Sequence, residues 1–270
     1  MSLRRLTSQA SWIRNAILQS MFMSCLAVIH FFTLAISEAE EFGVDSTDEV
    51  DGSNAVTPSQ AVLITDDAAY LTQLGLLRGH LMVGYELYQQ SLPEMSETHM
   101  KHPGEELYTD LIPAFESRGC EGFADELSDL ARVVSVRDER GVIASYELLT
   151  ASIVRCEAVA ERETRAIVMQ VISNLLTNAL LEYEIGVVDG AINNVHEYQD
   201  AWGFTQVASV YAQLPVFLKD GEGQLISRRL QRLITSLEPL WPSLNPTRID
   251  DQTVSSLLHR LRVYTGRTTE

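Results

Sequence analysis

Asp66-Asp-Ala-Ala-Tyr-Leu-Thr-Gln-Leu-Gly-Leu-Leu-Arg-Gly-His-Leu-Met-Val-Gly-Tyr-Glu-Leu-Tyr-Gln-Gln90 is the stretch whose reading decides the fold. Its apolar residues Tyr70, Leu74, Leu77, Leu81 and Tyr85 recur at intervals of three and four, the period of one helix face. Asp66 and Asp67 open it where a helix start favours acceptors and negative charge. Gly75, Gly79 and Gly84 interrupt the run. Each lowers intrinsic helix stability by ~1 kcal/mol, and glycines so spaced let a second backbone come close. Pro93 ends the segment.

The same helical idiom extends to the C-terminus. A polar connection runs from Pro93 to His102, and Pro103 then opens a helix with Glu105 and Glu106 in its first turn. That helix carries Leu107, Leu111 and Phe115 and stops at Arg118-Gly119. The next, from Gly122 to about Val136, aligns Phe123, Leu127, Leu130 and Val134. A long pattern from Ile143 to Val188 breaks near Glu161 to Thr164, and Asp189-Gly190 turns the chain. Asn194 reads as an N-cap, with Glu197 completing a variant capping box. Its helix runs to about Lys219 with a bend at Pro215. Gln224 to Leu240 and Asp250 to Tyr264 form the last two. No run shows sustained strand alternation, so the expectation is an all-α fold, a bundle of about six to eight helices over residues 60–265.

Working back from Asp66, residues 38–59 are acidic, rich in Ser, Thr, Gly and Asp, and without apolar periodicity. They read as a flexible linker. Residues 1–37 carry Arg4, Arg5 and Arg14 ahead of an apolar run from Ala16 to Ile36, the pattern of a signal peptide or N-terminal anchor. The run is ~20 residues, long enough to span a bilayer if uncut. The expected location is the periplasm, or the outer face of the inner membrane if the segment stays attached.

Three of the 20 basic residues precede Glu38, whereas all 37 acidic residues lie at or after it. The remainder thus carries 17 basic against 37 acidic side chains, a formal charge of −20. Such a balance disfavours nucleic acid, whose phosphates need a basic face, and suits solubility or the attraction of cations. Cys120 and Cys156 remain after processing and could form a disulfide in an oxidising compartment. There is no nucleophile elbow, His-Glu-x-x-His pair or glycine-rich phosphate loop, so an enzyme is not expected.

The stretch from His80 to Glu106 gathers three of the six histidines, three methionines and five glutamates. Imidazole, thioether and carboxylate are the groups that hold metal ions. The candidate ligands are His80, His99, His102 and Glu105, with Glu86 and Met100 in reserve. Glu86 lies six residues from His80, roughly 120° round an ideal helix, so the two make no local site. Pro103 favours an extended backbone at His102, placing His99 and His102 in a loop that folding must carry to His80. His196 and His259 read as structural or exposed. Histidine with carboxylate and nearby tyrosines favours iron, and methionine keeps copper as the alternative.

Leu180-Leu-Glu-Tyr-Glu-Ile-Gly-Val-Val-Asp-Gly-Ala-Ile-Asn-Asn-Val-His-Glu-Tyr-Gln-Asp-Ala-Trp-Gly-Phe204 resembles a segment of the extracytoplasmic helical domains of bacterial iron permeases. Val188, Asp189, Gly190, Ile192, Glu197, Tyr198, Asp200 and Phe204 carry the match. His102-Pro-Gly-Glu105 is similar, more weakly, to the His-x-x-Glu motif of imelysin-like iron-uptake proteins, although Met100 replaces that family's glycine. The first resemblance implies a link to iron transport without a pore. The permeases' Arg-Glu-x-x-Glu motif is incomplete at Arg162-Glu163.

These readings converge on an exported accessory protein that binds a transition-metal ion, iron first, beside an inner-membrane permease. The alternatives are a non-metal interaction module of the cell envelope and a copper- or haem-binding periplasmic protein.

Overall fold

The computed structural model describes residues 58–249 and 251–266. The signal or anchor segment, residues 1–37, and nearly all of the acidic linker, 38–57, lie outside the described residues. Ten α-helices occur among those described: α1 (Pro58–Thr65), α2 (Asp67–Gln89), α3 (Pro93–Glu106), α4 (Tyr108–Arg118), α5 (Ala124–Ser135), α6 (Glu139–Glu157), α7 (Arg165–Gly186), α8 (Val195–Tyr211), α9 (Gly221–Leu237) and α10 (Asp251–Thr265). A two-residue hairpin, β1 (Val187–Val188) with β2 (Ala191–Ile192), separates α7 from α8. The all-α reading therefore holds. The count exceeds six to eight because α1 begins inside the stretch read as linker and because Pro93 starts a helix rather than a connection.

Helix α2 is central. Its N-cap Asp66 accepts the Ala69 N–H at 2.9 Å, and the helix packs on α3, α7 and α8. The predicted stripe is buried, but so are Leu71, Leu76, Arg78, His80, Val83 and Leu87 on its other sides. A helix enclosed on several faces must place polar residues in the interior, and each then needs a partner. Arg78 pairs with Glu157 at the end of α6. The same carboxylate accepts the Tyr211 hydroxyl at 3.1 Å and Arg162 Nη1 at 3.4 Å.

Cys120, just past α4, and Cys156, on α6, are joined by a disulfide with Cα atoms 5.3 Å apart. It ties two helix ends beside the Arg78–Glu157 pair.

Two boundaries differ from expectation, both through proline. Pro93 stands in the first turn of α3, where its missing N–H costs nothing. Pro103 falls inside the last turn of that helix, so His99 and His102 are helical and not in a loop. Farther on, α8 stops at Tyr211 instead of bending at Pro215. Leu214, ahead of that proline, is forced to extended angles (φ −61°, ψ 150°). The turn at Asp189-Gly190 has positive φ at both residues, 51° and 70°, which matches the twist of a tight hairpin. The hairpin is also where the C-terminal segment docks, through Ile249 N–H to Gly190 O at 3.0 Å.

Candidate metal centre

Three helices each bring to one buried point a side chain that could hold a metal ion. His80 comes from α2, His99 from α3 and Asp200 from α8; they are 1, 2 and 0 % exposed. His80 Nδ1 lies 3.4 Å and His99 Nδ1 3.3 Å from Asp200 Oδ1. All three ligand atoms lie within 4.8 Å of one another. The two imidazole rings are 6.5 Å apart between centroids, and the Phe204 ring lies edge-to-face with His80 at 6.4 Å.

Small residues set this geometry. Gly84 of α2 faces Met100 Cγ of α3, which a Cβ there would meet at 2.7 Å, with His99 Cβ at 3.4 Å. Gly203 of α8 lies against the Gly79 backbone of α2; a Cβ would drive into the Gly79 carbonyl, whose carbon would be 3.0 Å away. The close approach expected of glycines in α2 is thus realised beside each histidine. Replacing Gly203 by alanine is expected to part α2 from α8, costing ~1–3 kcal/mol as overpacking does. Denaturant midpoints read this cost, and an unchanged midpoint would refute the close contact.

Of the remaining candidates, Met100 and Glu86 have other partners. Met100 is buried in the α2–α3 seam with the Ser96 hydroxyl 3.8 Å from its sulfur, a packing role. Half-buried Glu86 accepts the Gln90 side-chain amide at 3.0 Å. His102 and Glu105 belong to α3, but their side chains lie outside the described residues. His259 is exposed as expected. His196, read as structural or exposed, is half-buried with its ring 5.2 Å from that of His99.

Asp200 was missed as a candidate ligand, although it lies within the segment quoted for its resemblance. A signal exists in retrospect. Asp200 shares a helix face with Phe204, Val207 and Ala208, all buried, and a carboxylate on an apolar face needs a cationic partner.

A second buried pair adjoins the first along α8. Glu197, three residues before Asp200, faces Glu182 of α7; they are 4 and 5 % exposed. Glu197 Oε1 accepts the Asn194 side-chain amide at 3.1 Å. Burial, then the charge of Glu197 and a hydrogen bond with it, pushes the Glu182 carboxyl from 4.5 up to about 8. The folded chain therefore keeps a proton that the unfolded chain loses near 4.5. This contribution to stability is complete below that pH and is lost as pH rises toward about 8. Glu182→Gln, neutral throughout, is expected to flatten the decline in stability between those limits. Superimposable pH–stability curves for the two proteins would refute the shared proton.

Two imidazoles and one carboxylate form the donor set that holds iron, zinc or manganese, and in facial-triad sites it holds iron(II) with positions left open. The fold and this cluster together define an all-α bundle with a buried His–His–carboxylate centre at a three-helix junction.

Residues 158–266, which span α7 to α10, match the family model of the iron permease-associated 4-helix bundle domain. The likeness to iron-permease helical domains read from Leu180–Phe204 is borne out, and the match points to iron uptake or permease association. Asp200 lies inside the matched residues, whereas His80, His99 and the imelysin-like His102–Glu105 lie before them. No curated protein and no solved structure matches the chain. No helix among the described residues is long and apolar enough to cross a membrane.

Proposed function

We propose that this chain is an exported accessory protein that binds a transition-metal ion, iron, and serves its uptake beside an inner-membrane permease. The observation carrying this reading is the convergence of His80, His99 and Asp200 from three helices on one buried point, next to a region that matches a permease-associated bundle. The nitrogen and oxygen donors suit iron better than copper(I), which favours thioether and thiolate. The N-terminal apolar segment, the disulfide and the −20 formal charge of the remainder are in keeping with an oxidising, extracytoplasmic setting. Iron is the cargo in this reading.

Elemental analysis of the full chain, purified from its own envelope without chelators, tests the proposal. One iron per chain, retained through gel filtration and absent from a His80→Ala/His99→Ala double variant, is the expected result. Equal metal content in the two proteins would overturn it. A metal-free wild-type protein that takes up no added Fe(II) and co-purifies with a partner would favour the interaction-module reading instead.

A further inference from the structure

The three ligand atoms are not alone in the site, because one of them is oriented from behind. His99 Nε2, on the ring edge opposite Asp200, lies 2.7 Å from Gln199 Oε1. The Gln199 amide has a fixed sense. Its Nε2 donates to the Leu244 carbonyl at 2.7 Å and points to Met95 Sδ at 3.9 Å. A backbone carbonyl only accepts, and a thioether is at best a weak acceptor. The NH2 end must therefore face Leu244 and Met95, which leaves the oxygen toward His99. That oxygen can only accept, so His99 Nε2 must carry a proton. In a neutral ring this leaves the Nδ1 lone pair directed at Asp200 Oδ1, 3.3 Å away.

We infer that Gln199 is a positioning residue that locks His99 in its Nε2–H tautomer and so presents Nδ1 as the metal-coordinating atom. This rests on the metal reading above and adds to it the identity of the ligand atom and the device that selects it. With the ring neutral, the Nδ1 lone pair stands 3.3 Å from the Asp200 carboxylate, an arrangement that a shared cation suits. Outer partners of this kind raise ligand basicity and fix ring orientation.

The device reaches beyond the site. Three bonds lace residues 241–244 to α8: Trp241 Nε1 donates to Tyr198 O at 3.0 Å, Tyr198 Oη donates to Ser243 O at 2.7 Å, and Gln199 donates to Leu244 O. The tautomer of a histidine on α3 is thus set by a carbonyl in the C-terminal segment, with α8 between them. Gln199, Leu244 and Asp200 all fall inside residues 158–266, while the histidine they orient does not.

The test has two arms on the full chain. The first needs no metal: long-range 15N–1H correlation of the histidine rings in chelator-treated protein, with His99 assigned by its loss in His99→Gln. An Nε2–H ring supports the inference, and an Nδ1–H ring overturns it whether or not metal binds. The second measures Fe(II) affinity, anaerobically, by competition with a chelator. Gln199→Leu is expected to lower affinity by ~10–100-fold. Gln199→Glu should recover most of it, since a protonated glutamate reproduces both the donor to Leu244 and the acceptor for His99. Wild-type affinity in Gln199→Leu would overturn the inference. An Nε2–H ring in a wild-type chain that binds no Fe(II) would uphold the tautomer while sinking the metal reading. A structural role alone would shift the melting of Gln199→Leu, but it would not be rescued by glutamate with a matching return of the tautomer.

Discussion

Asp200→Asn is expected to abolish iron retention while leaving the bundle folded. Asparagine keeps the shape and removes the carboxylate that two imidazoles approach at 3.4 and 3.3 Å. A neutral amide oxygen is a poorer ligand for a hard cation, and the two imidazoles alone offer an incomplete set. The affinity loss should exceed the ~100-fold upper range seen when even outer partners are removed. Thermal melts give an independent reading. A ligand that binds only the native state raises its stability by RT ln(1 + [L]/Kd), so added Fe(II) should raise the melting temperature of the wild type and not that of Asp200→Asn. Parallel shifts in both proteins would place the ion elsewhere.

The largest stability effect is expected at Glu157. Its carboxylate is 3 % exposed and is shared by Arg78, Tyr211 and Arg162. Arg78 itself is 2 % exposed, and its guanidinium carbon lies 5.6 Å from the Tyr211 ring centroid. Glu157→Ala would bury the guanidinium without its counter-charge, an arrangement that costs ~3–5 kcal/mol. In a native state worth about 5–15 kcal/mol in total, such a loss is severe. Replacing both partners by apolar residues, as in Arg78→Met with Glu157→Leu, should recover much of it, since a buried ion pair is often no better than a well-packed apolar pair. Denaturant unfolding of the single and double variants under non-reducing conditions checks this. A double variant as unstable as the single one would mean that Glu157 acts through Tyr211 and Arg162 instead.

Much of the fold was legible because helix periodicity is local. The apolar spacing of Tyr70 to Tyr85, the break before Arg165 and the Asp189-Gly190 turn are each written within a few residues, and each was found where expected. Proline was the source of error. Pro93 and Pro103 carry the same local signal, helix start or helix stop, and only packing against α2 and α5 settles that the chain between them is helical. The site was half legible. His80 and His99 were found by residue type, since imidazoles are scarce and chemically pointed. Asp200 was hidden among 37 acidic residues, and only its place on the apolar face with Phe204, Val207 and Ala208 separates it from a solvated carboxylate.

By itself the sequence determined the all-α class, most of the helices, the glycines at which backbones can meet, and two of the three side chains of the buried cluster. Only the tertiary structure decided which surfaces those glycines join, that Asp200 rather than Glu86, Met100 or His196 stands between the histidines, and that Gln199 orients His99. The physical reason is range. Helix formation is governed by residues three and four apart, whereas the centre brings together positions 80, 99 and 200, whose meeting depends on how three helices pack.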